Sequence, residues 1–122
     1  MVSIEVTREA VVLHIHGSSK FWSLKSNLTI PLEHIRSVEA VKDLKTKDYL
    51  KWDAIKAGTF LPNVIAEGTF YQDENRLYVN IHEGKAGIVL GLRDDKYYEV
   101  VVETENAQET ANEIQSAIAA RK

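Results

Sequence analysis

Hydrophobic and polar positions alternate along most of this chain with a two-residue period, the signature of β-strands. Val2, Ile4 and Val6 alternate with Ser3, Glu5 and Thr7. After Arg8-Glu9, Val11, Leu13 and Ile15 alternate with Val12, His14 and His16. The two runs predict an opening antiparallel hairpin. Gly17-Ser18-Ser19 breaks the pattern, and residues 20–26, with Phe21, Trp22 and Leu24, are ambiguous. Residues 27–30 predict a strand ended by Pro31, which lacks a backbone donor. Leu32-Glu33-His34-Ile35 fits one helical turn behind that proline, and residues 36–41 a further strand.

Residues 42–57 mix five lysines with Asp43, Asp48 and Asp53 and show no clean period, which predicts an ordered connection with room for a short helix. Gly58-Thr59-Phe60-Leu61-Pro62-Asn63 reads as turn chemistry. Residues 64–71 predict a strand in which Gly68 marks a bulge or bend. Three more strands follow over 76–82, 86–92 and 97–104, separated by the polar turns 72–75, 83–85 and 93–96. They place Leu77, Val79 and Ile81 on one face, set Ile88, Leu90 and Leu92 against Val89 and Gly91, and put Tyr98, Val100 and Val102 together.

The last segment changes period. Ala107, Ala111, Ile114 and Ile118 form one helical stripe, and Asn106 with Glu109 predicts a capping-box start. The chain therefore predicts a mostly β domain, seven or eight strands in short hairpins, with one C-terminal α-helix over about 106–120. A meander of that length must close or split to protect its edges, and the helix needs somewhere to bury its stripe. Covering the open end of a small barrel meets both needs.

Leu28-Thr29-Ile30-Pro31-Leu32-Glu33-His34-Ile35, the stretch from Gly58 to Phe70, Gly87-Ile88-Val89-Leu90-Gly91-Leu92 and Tyr98-Glu99-Val100-Val101-Val102-Glu103, followed by the closing helix, resemble the bacterial pleckstrin-homology-like (PH-like) domains. The resemblance implies a PH-like β-barrel of two orthogonal antiparallel sheets, about seven strands in all, capped by the helix, with residues 1–122 as a single domain. Asn63 stands where the pattern has glycine after proline, and asparagine tolerates the same left-handed backbone. The function implied is a non-enzymatic binding or scaffold module that acts through protein–protein interaction or self-association. The alternative is a binder of small molecules or anionic lipid surfaces at the barrel mouth. Phosphoinositide recognition is not expected, because the first hairpin loop carries only Arg8, beside Glu9.

Composition narrows the chemistry further. A net charge of −3 argues against bulk attraction to nucleic acid. The absence of cysteine removes disulfides, thiol nucleophiles and thiolate metal sites. It also fits a cytoplasmic location, as does an N-terminus with no basic stretch and apolar run. No nucleophile elbow or phosphate loop is present, so neither an enzyme nor a cofactor is expected. His14 and His16 share a strand face, but no third ligand lies nearby, and solvent-side decoration is the simpler reading. Trp22, Lys45, Lys47, Lys51 and Trp52 are the candidate partner surface, set against the plainer reading of 42–56 as a solvated connection.

Overall fold

The computed structural model describes residues 2–15, 27–51 and 53–121, with Ile55 and Lys56 as backbone only. Among these residues there are nine strands: β1 (Val2–Val6), β2 (Ala10–Ile15), β3 (Asn27–Pro31), β4 (Ile35–Val41), β5 (Ile55–Leu61), β6 (Ile65–Gln72), β7 (Asn75–His82), β8 (Gly87–Leu92) and β9 (Glu99–Glu103). Helix α1 (Ala107–Ala120) follows them, and short 3-10 turns cover Leu32–His34 and Thr46–Asp48. The protein is thus mostly β, in two sheets, with one C-terminal helix. The turn at Leu32–His34 sits behind Pro31, where the sequence puts it.

The strands form a three-stranded sheet, order β1-β2-β3, and a six-stranded sheet, order β4-β8-β9-β7-β6-β5. Three expectations are corrected here. There are nine described strands, not about seven; the two sheets do not close into one barrel; and the larger sheet is not a meander. Strand β9 lies between β7 and β8, antiparallel to β8 and parallel to β7. The reason is visible in burial: Val100, Val101 and Val102 are all fully buried, and every residue of β8 is buried. Runs apolar on both faces belong at a sheet's centre, whereas β7 and β8 are only sequence neighbours.

Local chemistry accounts for the hairpins. Between β1 and β2, the Thr7 hydroxyl accepts the backbone N–H of Glu9 and Ala10 at 3.2 and 3.0 Å, fixing Val6 opposite Val11. Asp73 and Glu74, with φ of 52° and 67°, make the left-handed two-residue turn that suits the twist of β6 and β7. Residues 58–61, expected in a turn, instead belong to β5, and the turn is confined to 62–64. Phe60 explains the shift: it points inward and meets Phe70 edge-on at 5.8 Å. Asn63 takes the left-handed backbone that the sequence allows it, with φ of 65°. Gly58 lies opposite Gly68, and both adopt φ values open to glycine, 147° and 136°. A Cβ on either would meet backbone atoms of the facing strand, so the pair permits a close approach of β5 and β6, and the register runs through it without the bulge expected at Gly68.

The six-stranded sheet has a core on each face. One holds Tyr78, Ile88, Leu90, Val100 and Val102 against the three-stranded sheet and α1. The other holds Phe70, Leu77, Val79, Ile81 and Val101, and is covered by Leu44 and Leu50 from the connection between β4 and β5. That connection is therefore ordered by burial and not by periodicity, because both leucines are almost wholly buried. Helix α1 packs on β4, β8 and β1 through Ala107, Ala111 and Ile114. Its expected capping box is absent: Asn106 makes no side-chain cap, and only its carbonyl accepts, from Thr110 N–H at 2.9 Å.

Candidate functional site

The feature that stands out is an open groove of about 460 Å3 beside α1. Strand β4 is an edge of the six-stranded sheet, with no further strand beyond it among the described residues. Leu32, Ile35, Val38 and Ile118 supply the apolar part of the groove. Arg36, Arg93 and Arg121 supply three positive charges, against the single carboxylate of Glu33. Edge strands present unpaired backbone donors and acceptors, and most proteins cover or blunt them. Here the edge runs beside an apolar floor.

Arg36 and Arg93 are held by the fold. Arg36 occupies a register irregularity in β4, because Ile35 pairs with Leu92 while Ser37 pairs with Gly91. The Arg36 side chain crosses the space left by the missing side chain of Gly91, donates from Nε to the Leu92 carbonyl at 3.1 Å, and sits 4.9 Å from the Tyr98 ring centre. Burial pushes the Glu99 carboxyl up from its ordinary pKa, while the neighbouring Arg36 charge pulls it back down and Glu39 adds to the rise. Arg93 donates its backbone N–H to the His34 carbonyl at 2.8 Å and its guanidinium to the Ile35 carbonyl at 3.4 Å. Arg121 reaches Glu33 at 3.4 Å, an exposed pair.

Beyond Arg36, the surface continues over Tyr98 and Tyr71, 47% and 41% exposed, with Arg76 5.2 Å from the Tyr71 ring centre. Burial moves another phenol, that of Tyr49, up to about 12, helped by Asp48, Glu39 and Glu99. An unfolded tyrosine ionises near 10. The folded state therefore holds this proton more tightly, and stability falls as pH rises from about 10 through about 12.

The residues singled out in the sequence fare differently. Trp22 and Trp52 lie outside the described residues, as do Phe21 and His16. Lys45 and Lys47 flank Thr46, whose hydroxyl accepts the Asn63 N–H at 2.8 Å and whose N–H is held by Glu83 at 2.9 Å. They therefore sit beside the β5–β6 turn, where Leu61 and Val64 are 54% and 55% exposed. Lys51 is separate from them, pairing with Asp73 at the β6–β7 turn at 2.9 Å. The structure thus brings Lys45 and Lys47 together but not Lys51. The arginines of the groove, 57 and 28 positions apart in sequence, offered no motif; only the fold assembles them.

His14 bonds across the hairpin, Nδ1 to Asn27 at 2.9 Å and Nε2 to Glu5 at 3.1 Å. The bond to Glu5, then that to Asn27, raises its pKa above the ordinary histidine value. The stabilising contribution is full below the unfolded value and is lost as pH rises through the raised folded value. An NMR titration of the His14 ring should place its midpoint above that of a histidine in an unfolded peptide. In Glu5→Gln the midpoint should drop, and an unchanged midpoint would show that Glu5 is not the cause. No protein-family model, curated protein or solved structure matches the chain.

Proposed function

We propose that this chain is a non-enzymatic PH-like binding module that docks a segment of a partner protein along β4, in the groove beside α1. The observation that carries this reading is the coincidence of a sheet edge, uncovered by any strand among the described residues, with an apolar groove wall. An extended segment laid on such an edge gains main-chain hydrogen bonds, and its alternate side chains can fill the floor. The adjoining Tyr98, Tyr71, Arg36 and Arg76 are of the residue types that anchor protein interfaces. A small-molecule binder would instead call for a concave site that encloses its ligand.

Site-specific photo-cross-linking tests the proposal. A photoreactive residue at Ser37, on β4, should give a discrete protein adduct in cells. The same residue at Gln108, exposed at the start of α1, should give none. Equal labelling from both positions would sink the docking reading, as would a native mass showing only a small-molecule adduct.

A second reading, contact with an anionic lipid surface, is supported by the β5–β6 tip. There, exposed Leu61 and Val64 stand beside Lys45 and Lys47. Under that reading the protein should sediment with anionic but not neutral vesicles, and Leu61→Asp with Val64→Asp should release it.

A further inference from the structure

We infer that the segment docked on β4 is an acidic one, its carboxylates read by Arg93 and Arg121. The inference rests on the groove being a docking site and adds the chemistry of what it takes.

Three observations converge. The groove lining carries three arginines and one glutamate; the Arg36 charge is offset by Glu99 beside Gly91, and the remaining Arg93 and Arg121 outnumber Glu33 by one in a chain whose net charge is −3. Such a reversal against the overall charge steers anionic partners to one place and repels them elsewhere. The one carboxylate in the lining, Glu33, holds Arg121 only at 3.4 Å with both side chains exposed, so an incoming carboxylate can replace it at little cost. Arg93 is already positioned, since its guanidinium donates to the carbonyl of Ile35 at the start of β4. Arginine's forked donors also suit carboxylates better than lysine's point charge does.

The same count disfavours a second copy of this chain as the occupant. A symmetric pairing of β4 with its own copy would gather two Arg93 and two Arg121 about the axis, with only two Glu33 carboxylates in the two linings to offset them. Like charges facing one another across an interface repel and disfavour the pairing. An acidic segment has no such conflict. Its apolar residues would lie on Val38 and Ile118, and its carboxylates would meet the arginine rim.

The test uses fluorescence anisotropy with three labelled peptides matched in length to β4. One alternates valine with glutamate, one valine with glutamine, and one valine with lysine. The glutamate peptide should bind most tightly, lose affinity as salt is raised, and bind about fivefold more weakly to Arg121→Ala, the effect of losing one partly exposed charge pair. Lys85→Ala, outside the groove, should bind it as the parent does. Equal binding of the glutamine peptide would overturn the acidic assignment and leave the docking reading intact. Binding by none of the three would overturn the acidic assignment as well, and the cross-linking experiment would then decide whether the docking reading survives. A dimer seen by light scattering, cross-linked through Ser37 to its own copy, would make the occupant a second chain and overturn the acidic segment.

Discussion

Gly68→Ala should destabilise the protein by about 3–5 kcal/mol, more than most single substitutions. Two costs add. Gly68 has φ of +136°, a backbone region that charges an L-residue on the order of 1–3 kcal/mol. A Cβ there would also lie 2.3 Å from the Ala57 carbonyl oxygen and 2.9 Å from the Gly58 Cα, both backbone atoms that cannot swing aside. Relief requires β5 and β6 to part, and that exposes Phe60 and Phe70. Gly84→Ala is the internal control. Its φ is also positive, +83°, but the nearest atom to the added carbon is an Asp43 side-chain oxygen at 3.8 Å. It should cost only about 1 kcal/mol, the conformational part alone. Urea midpoints of the two variants decide the matter. If Gly68→Ala unfolds at the same denaturant concentration as Gly84→Ala, the close approach of β5 and β6 carries no weight.

The second large effect is expected at Ile114. A 14-residue helix is marginal in water without tertiary contacts, so α1 depends on what it buries. Of its buried residues, Ala107 and Ala111 are small, and only Ile114 inserts a large side chain, with no exposure at all. Ile114→Ala should cost about 3 kcal/mol, transfer loss plus cavity. The backbone amides of α1 should then exchange much faster than those of β8 and β9. Because α1 forms one wall of the groove through Gln115, Ile118 and Arg121, the same variant should weaken peptide binding without touching an arginine. Ile118→Ala, at a half-buried position, should cost about 1 kcal/mol and leave α1 protected. Equal exchange protection of α1 in Ile114→Ala and the parent would mean that other contacts hold the helix.

The sequence showed its periodic elements well, for a physical reason. Where one face meets the core and the other meets water, as in Val11-Val12-Leu13-His14-Ile15, alternation records the burial directly. The helical stripe of α1 is legible in the same way. Order that comes from distant contacts leaves no local record. Leu44 and Leu50 sit among lysines and aspartates, yet they pack into the core on one sheet face. Tyr98 falls in register with Val100 and Val102, but its ring is held outside by Arg36. Phe60 looks like part of a turn because Gly58 and Pro62 flank it, and only its contact with Phe70 makes it core. The groove was the least legible of all. Arg36, Arg93 and Arg121 come from an edge strand, a loop and a helix end, and no spacing rule links them. Lysines drew the eye in the sequence because they cluster there; in space the arginines do.

The central position of β9 has a consequence for the order in which the molecule can be made. Before residues 99–103 leave the ribosome, β5, β6 and β7 can pair with one another, and β4 can pair with β8. Nothing in the ladder yet joins these two groups. Strand β9 supplies both missing seams at once, antiparallel to β8 and parallel to β7, and α1 follows it directly. The nascent chain therefore carries two open sheet edges flanked by apolar surface until residues 99–103 are synthesised, the period in which it is most exposed to aggregation or chaperone capture. Insertion of one five-residue strand ends that exposure.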